Sequence, residues 1–483
     1  MQAPESPRLR WADLYREAEL YKAAIRLYTK PLFNWRKALS TSTDDHTLYD
    51  FARRGLQNLD GIHNALAGER FHYRPGRALR FNFNGKERTL YIYPWEERLV
   101  DLLLYRLLTR RLNPWFSPHS YAYRSGRFGV DVCQRRIARA LYAERGARFV
   151  VKRDISDYFG SVDHDILLEQ LRALVEPSDF LFSLLRERVR FVYQEDRDGA
   201  APAHTARRGI PFGTAAACLF ANVHLTGLDR SLEAVPALSL FRYADDILLV
   251  SGSREAAETG RRILDDGLAA LRLRSKPSHE RQFAFGAATP ETPGFEGTDR
   301  LRHLGLEFRA DGVTRLSRDK FRKICNRFRF AFRRQSGLLR RTQDPLKRAA
   351  QLVRLSREVL ERGIRNVAII DYYLRHVDDE AQLRLLDRWL AEEVLAIAFT
   401  DGHRKGLFRR LSFRRLREMG LPSLVHRRRL IRHGHVDSTF LAWRTTRISR
   451  GSGGAAVRPE GRPNGAGAKA FSPDPEAAVA NAS

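Results

Sequence analysis

An α+β fold follows from three features of the chain: strand signals that come in pairs joined by tight turns, helical runs that do not alternate with single strands, and apolar content sufficient to bury both. With 43% hydrophobic residues in 483, the chain can form a sizeable core and about two to four structural units. Lys and Arg number 85 against 57 Asp and Glu, a formal charge of +28 with a pI near 10.6. Such a surplus favours a polyanionic partner, nucleic acid first. No apolar run approaches the roughly 20 residues of a membrane-spanning helix. Met1 to Ala18 is charged throughout and has no apolar signal core. The expectation is a cytoplasmic protein without a membrane partner.

In chain order, residues 10–66 read as helical. Phe71 to Tyr93 reads as two strands joined at Asn84-Gly85, a dipeptide that supplies the positive φ angles of a tight hairpin, with Lys86 and Arg88 just beyond it. Residues 96–113 form an apolar helix, and after a loop from Ser120 to Arg127 a second helix runs to Ala143. Phe149 to Ile155 is a short apolar strand with Asp154 near its end. Asp163 is placed to cap the next helix, whose Leu167, Leu171 and Leu174 share a face. Gly209 to Gly213 is a loop ahead of another helix, and Leu238 to Ser251 is a hairpin with Tyr243 to Asp246 at its tip.

Beyond Ser317 the chain turns to arginine-rich helices. Phe321 to Arg334 interleaves aromatic and basic residues, and Leu383, Leu386, Leu390, Val394 and Ile397 mark a buried stripe. Residues 401–450 hold 14 Lys and Arg against three acids, Asp401, Glu418 and Asp437, which reads as a nucleic-acid face. Ser449 to Ser483 is rich in Gly, Ala, Pro and Ser without apolar periodicity and reads as a disordered tail. Cys133, Cys218 and Cys325 lack zinc-ligand spacing and read as core thiols: Val130, Cys133, Ile137 and Leu141 make one apolar stripe, Phe321, Cys325, Phe328 and Phe332 make another, and Cys218 follows three alanines in a small-residue helix. His433 and His435 near Asp437 read as part of an RNA-binding surface rather than a metal site.

The chemistry concentrates at Tyr243-Ala244-Asp245-Asp246. Two adjacent carboxylates between strands too apolar to be solvated repel each other unless a cation neutralises them. Alone, such a tetrapeptide is more often an ordinary turn. The flanking strands, the second apolar strand leading to Asp154 and the basic charge favour a site for two magnesium ions engaged in phosphoryl transfer.

These residues resemble the reverse transcriptases, specifically the bacterial branch related to group II intron enzymes. The resemblance covers Arg74 to Phe308 in ordered motifs. Asp154-Ile155-Ser156-Asp157-Tyr158-Phe159 is similar to the first palm motif, Gly209-Ile210-Pro211-Phe212-Gly213 to the second and Tyr243-Ala244-Asp245-Asp246 to the third. Ser120 to Arg127 resembles a fingers motif, and His303-Leu304-Gly305-Leu306 the primer grip. The resemblance implies a right-hand polymerase fold: an N-terminal helical extension over 1–66, fingers over 67–148, an antiparallel-sheet palm over 149–316, a helical thumb over 317–400, a basic helical C-terminal extension over 401–448 and the tail.

It implies an RNA-directed DNA polymerase with deoxynucleoside triphosphates as substrates, an RNA template or noncoding RNA as partner and DNA as product. Asp154, Asp245 and Asp246, with the Ile155 carbonyl, would hold two Mg2+ ions, with Mn2+ as substitute. Lys86 and Arg88 would grip the triphosphate, Phe159 would act as the steric gate against a 2′-hydroxyl, Phe212 and Gly213 would line the nucleotide site, and Lys276 would protonate pyrophosphate. Arg124 is a candidate for phosphate contact or for a helix cap. His303 and Gly305, and Arg427, Arg428 and Arg429, are candidates for nucleic-acid contact.

Phe212 stands where group II intron enzymes carry glutamine, and Ala217-Cys218 where diversity-generating retroelement enzymes carry Ser-Gln. These departures point to the heterogeneous bacterial enzymes outside those classes, several of them linked to antiphage defence. Two other readings stay open: an intron maturase acting by RNA binding, and a template-independent or protein-primed DNA polymerase.

Overall fold

The computed structural model describes residues 7–29, 37, 40–83, 86–124, 128–143, 146–195, 202–286, 293–361, 368–399 and 406–435. The Asn84-Gly85 turn, Ser125 to Arg127, Asp401, Asp437 and the tail lie outside the described residues. The chain divides into two compact units at residues 297 and 298.

The first unit opens with helices α1 (Trp11–Leu14), α2 (Glu17–Thr29), α3 (Leu48–Arg53) and α4 (Gly55–Ala67). Thr47 starts α3 with a capping box, its hydroxyl accepting from the Asp50 amide while the Asp50 carboxylate accepts from the Thr47 amide. Strands β1 (Gly76–Phe83) and β2 (Lys86–Ile92) then pair antiparallel in full register from Arg77 opposite Ile92 to Phe83 opposite Lys86. This is the expected hairpin. Its sheet is extended by β4 (Val192–Gln194) and β5 (His204–Thr205).

Helices α5 (Trp95–Leu112) and α6 (Val130–Tyr142) follow. The stripe on α6 is buried at Cys133, Ile137 and Leu141, and Val130 at its start is half-buried. Strand β3 (Arg148–Asp154) leads through α7 (Tyr158–Ser161) to α8 (His164–Arg172) and α9 (Phe180–Val189). Asp163 caps α8 as expected, accepting from the amides of Asp165 and Ile166. Helix α10 (Ala215–Glu233) is buried along most of its length, including the polar residues Asn222, His224, Thr226 and Asp229. It precedes β6 (Leu238–Tyr243), β7 (Asp246–Ser251), α11 (Arg254–Ala270), β8 (Arg281–Phe285) and β9 (Glu296–Thr298).

Strands β6, β7, β3, β8 and β9 lie in that order in one sheet, with β3 central and antiparallel to both β7 and β8. Val150, Val151, Leu248 and Leu249 are fully buried in it. Through Val151 and Leu249 the sheet shares one core with Ala216, Leu219, Phe220 and Val223 of α10 and Leu264 and Leu268 of α11. Helices behind an antiparallel sheet give the α+β class, as predicted. Two buried ion pairs lock this unit. Arg188 of α9 clasps Asp101 of α5 with both side chains about 1% exposed, and its guanidinium lies 3.7 Å from the Tyr93 ring centre. Arg242 of β6 clasps Asp229 of α10 in the same way.

The second unit begins with a small antiparallel sheet of β10 (Arg300–His303), β11 (Leu306–Arg309) and β12 (Thr314–Leu316). Helices α12 (Arg318–Arg334), α13 (Ser336–Arg341), α14 (Pro345–Glu361), α15 (Ala368–His376), α16 (Glu380–Phe399), α17 (Leu407–Arg410), α18 (Phe413–Glu418) and α19 (Leu424–Arg432) complete it. The small sheet is tied to the helices of this unit: Arg315 pairs with Asp379, and Gln382 bonds both the amide and the carbonyl of Leu316. Buried Asp387 of α16 accepts from Arg417 Nη2 at 2.9 Å, Ser423 Oγ at 2.6 Å and the Leu424 amide at 2.6 Å, joining α16 to α18 and α19. Leu383, Leu386, Leu390 and Val394 are fully buried as expected, while Ile397 is half-buried. All three cysteines are buried.

Candidate active site

Strands β6 and β7 meet in a two-residue turn, Ala244-Asp245, with Tyr243 paired to Asp246. Ala244 takes φ +59°, a conformation that costs an L residue strain but lets a short hairpin follow the sheet twist. Its carbonyl accepts from Arg242 Nη1 at 3.2 Å, and the same guanidinium makes two 2.7 Å bonds to Asp229 and one of 3.3 Å to Asn222 Oδ1. Asn222 also donates to the Ala122 carbonyl at 3.0 Å, so the turn and the Ser120–Tyr123 segment share one buried polar anchor. No motif points to Arg242, Asp229 or Asn222. The available signal is an arginine inside an otherwise apolar strand, which burial permits only with a partner acid.

Asp154 lies directly opposite Asp246 across β3 and β7, so the register brings all three carboxylates to one sheet end. The Ile155 amide donates to the Asp245 carbonyl at 3.3 Å, and the Lys276 amide donates to the Asp154 carbonyl at 2.8 Å. Lys276 Nζ stands 2.6 Å from Asp154 Oδ2, and Lys152 Nζ 4.0 Å from Asp246 Oδ1. Burial, then the charge of Asp154, then that of Asp246 push the Asp245 carboxyl up to about 7. Hard oxygen donors whose burial and mutual repulsion raise a proton affinity this far suit a divalent cation in kind. Among the described residues, no three acidic, His or Cys side chains are drawn to ligating distance of one point; Lys276 is the cation that Asp154 meets.

Phe159 and Phe212 lie edge to face with centres 5.6 Å apart, Tyr123 meets Phe159 at 6.3 Å, and the Arg88 guanidinium sits 5.7 Å from the Phe212 ring centre. The Gly209 and Ile210 amides donate to the carbonyls of Val162 and Phe159, and the Phe212 carbonyl accepts from the Tyr91 amide at 3.0 Å. The loop is thereby strapped to both the first motif and the β1–β2 hairpin. Gly213, at φ +102°, has no room for a Cβ, which would stand 2.2 Å from Leu90 Cδ1. Lys86 opens β2, and its side chain lies outside the described residues.

Several residues expected at nucleic acid have partners within the protein. The nearly buried guanidinium of Arg124 bonds the carbonyls of Asn113, Ser117 and Ser120 and lies 3.4 Å from the Phe128 ring centre, fastening the loop after Ser120 to the end of α5. His303 is 2% exposed, so its side chain supports the β10–β11 hairpin from within. Leu304 and Gly305, at φ +46° and +82°, form the turn, and Lys320 packs where a Gly305 Cβ would go. The Arg427–Arg429 triplet does not present three free cations. Arg427 makes two bonds to Asp371 at 3.0 and 2.8 Å, Arg428 is buried 3.6 Å from Asp378, and only Arg429 is well exposed, 3.4 Å from Glu380. A helical triplet spreads around the axis, so neutralising acids inside the unit claim two of its members.

The antiparallel sheet, with helices behind it, gathers three carboxylates at one end. Residues 83–308 match the family model described as reverse transcriptase (RNA-dependent DNA polymerase). The chain is 26% identical over 296 residues to Protein YkfC of Escherichia coli strain K12, covering 49% of this chain and 76% of that protein. A solved structure of apo telomerase from Candida tropicalis, truncated from its C-terminal domain, is similar with a TM-score of 0.39 and 10% identity, over 51% of this chain and 55% of that one. The chain thus spans about half the length of that telomerase chain. No helix among the described residues is long and apolar enough to cross a membrane.

Proposed function

We propose that this protein is an RNA-directed DNA polymerase that works by two-metal phosphoryl transfer. The observation that carries the reading is the register of Asp154 against Asp246 with the Asp245 turn beside them, inside the segment matched by the reverse transcriptase family. Asp154, Asp245 and Asp246, with the Ile155 carbonyl, are the residues to hold Mg2+, or Mn2+ in its place. When bound, such ions supply a more nucleophilic primer 3′-oxygen and neutralise the triphosphate and the leaving pyrophosphate. The chain's own groups do the rest. Lys276 orients Asp154 and is the proton donor for pyrophosphate, Arg88 with Lys86 binds the triphosphate, and the Phe159 ring closes the place of a 2′-hydroxyl.

Primer extension on an RNA template tests this directly. Asp245→Asn keeps the shape of the side chain and removes its charge, so incorporation is expected to fall by about two to three orders of magnitude with RNA affinity and melting temperature retained. Incorporation equal to the parent's refutes the site. Extension without template would instead favour a template-independent enzyme, the reading that Phe212 in place of glutamine suggests. For the cellular setting, the departures at Phe212 and at Ala217-Cys218 lead us to carry an antiphage role with a noncoding RNA. Phage challenge of cells bearing the parent or Asp245→Asn checks it: equal plaque counts remove that role.

A further inference from the structure

Away from the catalytic turn, the second unit holds a cavity of about 520 Å³ among α16, α17, α18 and α19. Its volume lies within the roughly 300–1,000 Å³ typical of small-ligand pockets. The lining combines two aromatic rings with four guanidinium groups. Phe408 and Phe413, both half-buried, meet edge to face at 6.2 Å, and Arg417 lies 5.0 Å from the Phe413 ring centre. Arg384, Arg388 and Arg429 keep side-chain exposures of 72%, 70% and 61%.

The two acids in the lining do not balance these charges. Asp387 pairs with Arg417, one of the four, and also accepts from Ser423 and the Leu424 amide, while Glu380 alone is shared between Arg384 at 2.7 Å and Arg429 at 3.4 Å. Arg388 pairs with Glu392, one turn along the same helix, a surface contact that an incoming anion displaces at little cost. Aromatic rings beside under-neutralised arginines match a ligand with a flat π face and an adjoining anion.

We infer that this cavity binds an unpaired nucleotide of an RNA strand, the base against Phe408 and Phe413 and the adjoining phosphate on Arg384, Arg388 and Arg429. Base stacking on aromatic rings tolerates any base, guanidinium forks match phosphate, and a base held within a duplex cannot enter. The inference rests on RNA being a partner of the chain but not on nucleotide transfer.

Binding is measured on the full chain carrying Asp245→Asn, so that turnover plays no part, by fluorescence anisotropy with a short single-stranded RNA. A matching strand with abasic sugars keeps the phosphates and removes the bases. Phe413→Leu retains apolar volume without a π face and is expected to weaken the intact strand about tenfold while leaving the abasic strand unchanged. Arg384→Gln with Arg388→Gln is expected to weaken both strands. Unchanged affinity of Phe413→Leu for the intact strand overturns the proposal, as does equal loss on both strands. Adenosine monophosphate competing as well as the strand assigns the cavity to a free nucleotide instead, and an acidic peptide competing as well assigns it to a protein; either result overturns the strand reading. If Phe413→Leu melts below the parent, Phe408→Leu takes its place in the same comparison. Primer extension by the chain with Asp245 intact reports the polymerase reading separately.

Discussion

The aromatic group at Phe159 shows what one side chain contributes. Its ring is held between Tyr123 and Phe212 at near-perpendicular angles of 88° and 90°, so it is supported on two sides rather than free to swing. A gate must be rigid to discriminate, and this packing supplies the rigidity. Phe159→Ala is therefore expected to raise ribonucleotide use relative to deoxynucleotide use by about 10- to 100-fold, with deoxynucleotide incorporation little changed. Paired kcat/KM measurements on matched nucleotides check it; an equal fall for both would make Phe159 a packing residue. Phe159, Asp154 and Asp245 can be picked out of the sequence as candidates because a motif fixes their spacing. Arg88 and Phe212 can likewise be named as candidates to meet a nucleotide, but their closeness to each other is not legible, since it depends on how the Gly209–Gly213 loop is strapped to β2.

Among the elements, the β6–β7 hairpin carries its strain on a buried support. Arg242→Met leaves Asp229 charged and unpaired in the core, a loss of about 3–5 kcal/mol, and also removes the donor to the Ala244 carbonyl. Adding Asp229→Leu to Arg242→Met is expected to restore most of the stability while incorporation stays low, because only the turn remains unsupported. Denaturant melts and primer extension on the single and double variants separate the two effects; recovery of both together would show that Arg242 acts through stability alone.

Helices α8 and α10 are coupled by a part-buried polar contact. The Gln170 amide donates to the His224 carbonyl at 3.1 Å, which turns its oxygen to accept from His224 Nδ1 at 3.0 Å. Burial holds the His224 imidazole down to about 4. The unfolded imidazole binds its proton near pH 6.5, so between these values the unfolded chain carries more protons and stability falls as pH falls. His224 is expected to account for up to about 3 kcal/mol of that acid loss. In His224→Gln the stability difference from the parent should therefore change across this window and be flat above it. Parallel stability profiles for the two proteins would exclude the assignment.

At the scale of the whole molecule, the sequence makes the +28 charge and its concentration in helices plain, but not which cations are spent inside the fold. The order of strands and helices can be read because periodicity and turn residues are local. Arg124, Arg188, Arg427 and Arg428 look like any other surface arginine in the sequence because their partners stand far along the chain or on another element, a tertiary fact.

The consequence is measurable in the salt dependence of RNA binding. Removing one phosphate-binding cation makes the slope of log affinity against log salt shallower by about 0.7–0.9. Of the Arg427–Arg429 triplet only Arg429 is well exposed, so Arg429→Gln is expected to reduce the slope by at most about one unit with no change in melting temperature. Arg427→Gln, which strips buried Asp371 of a two-bond partner, is expected to lower the melting temperature while leaving the slope unchanged. Salt titrations and melts of the two single variants check both halves. A shallower slope for Arg427→Gln with an unchanged melt would mean that this arginine leaves Asp371 to meet phosphate, and the internal pairing would then describe only the unliganded protein.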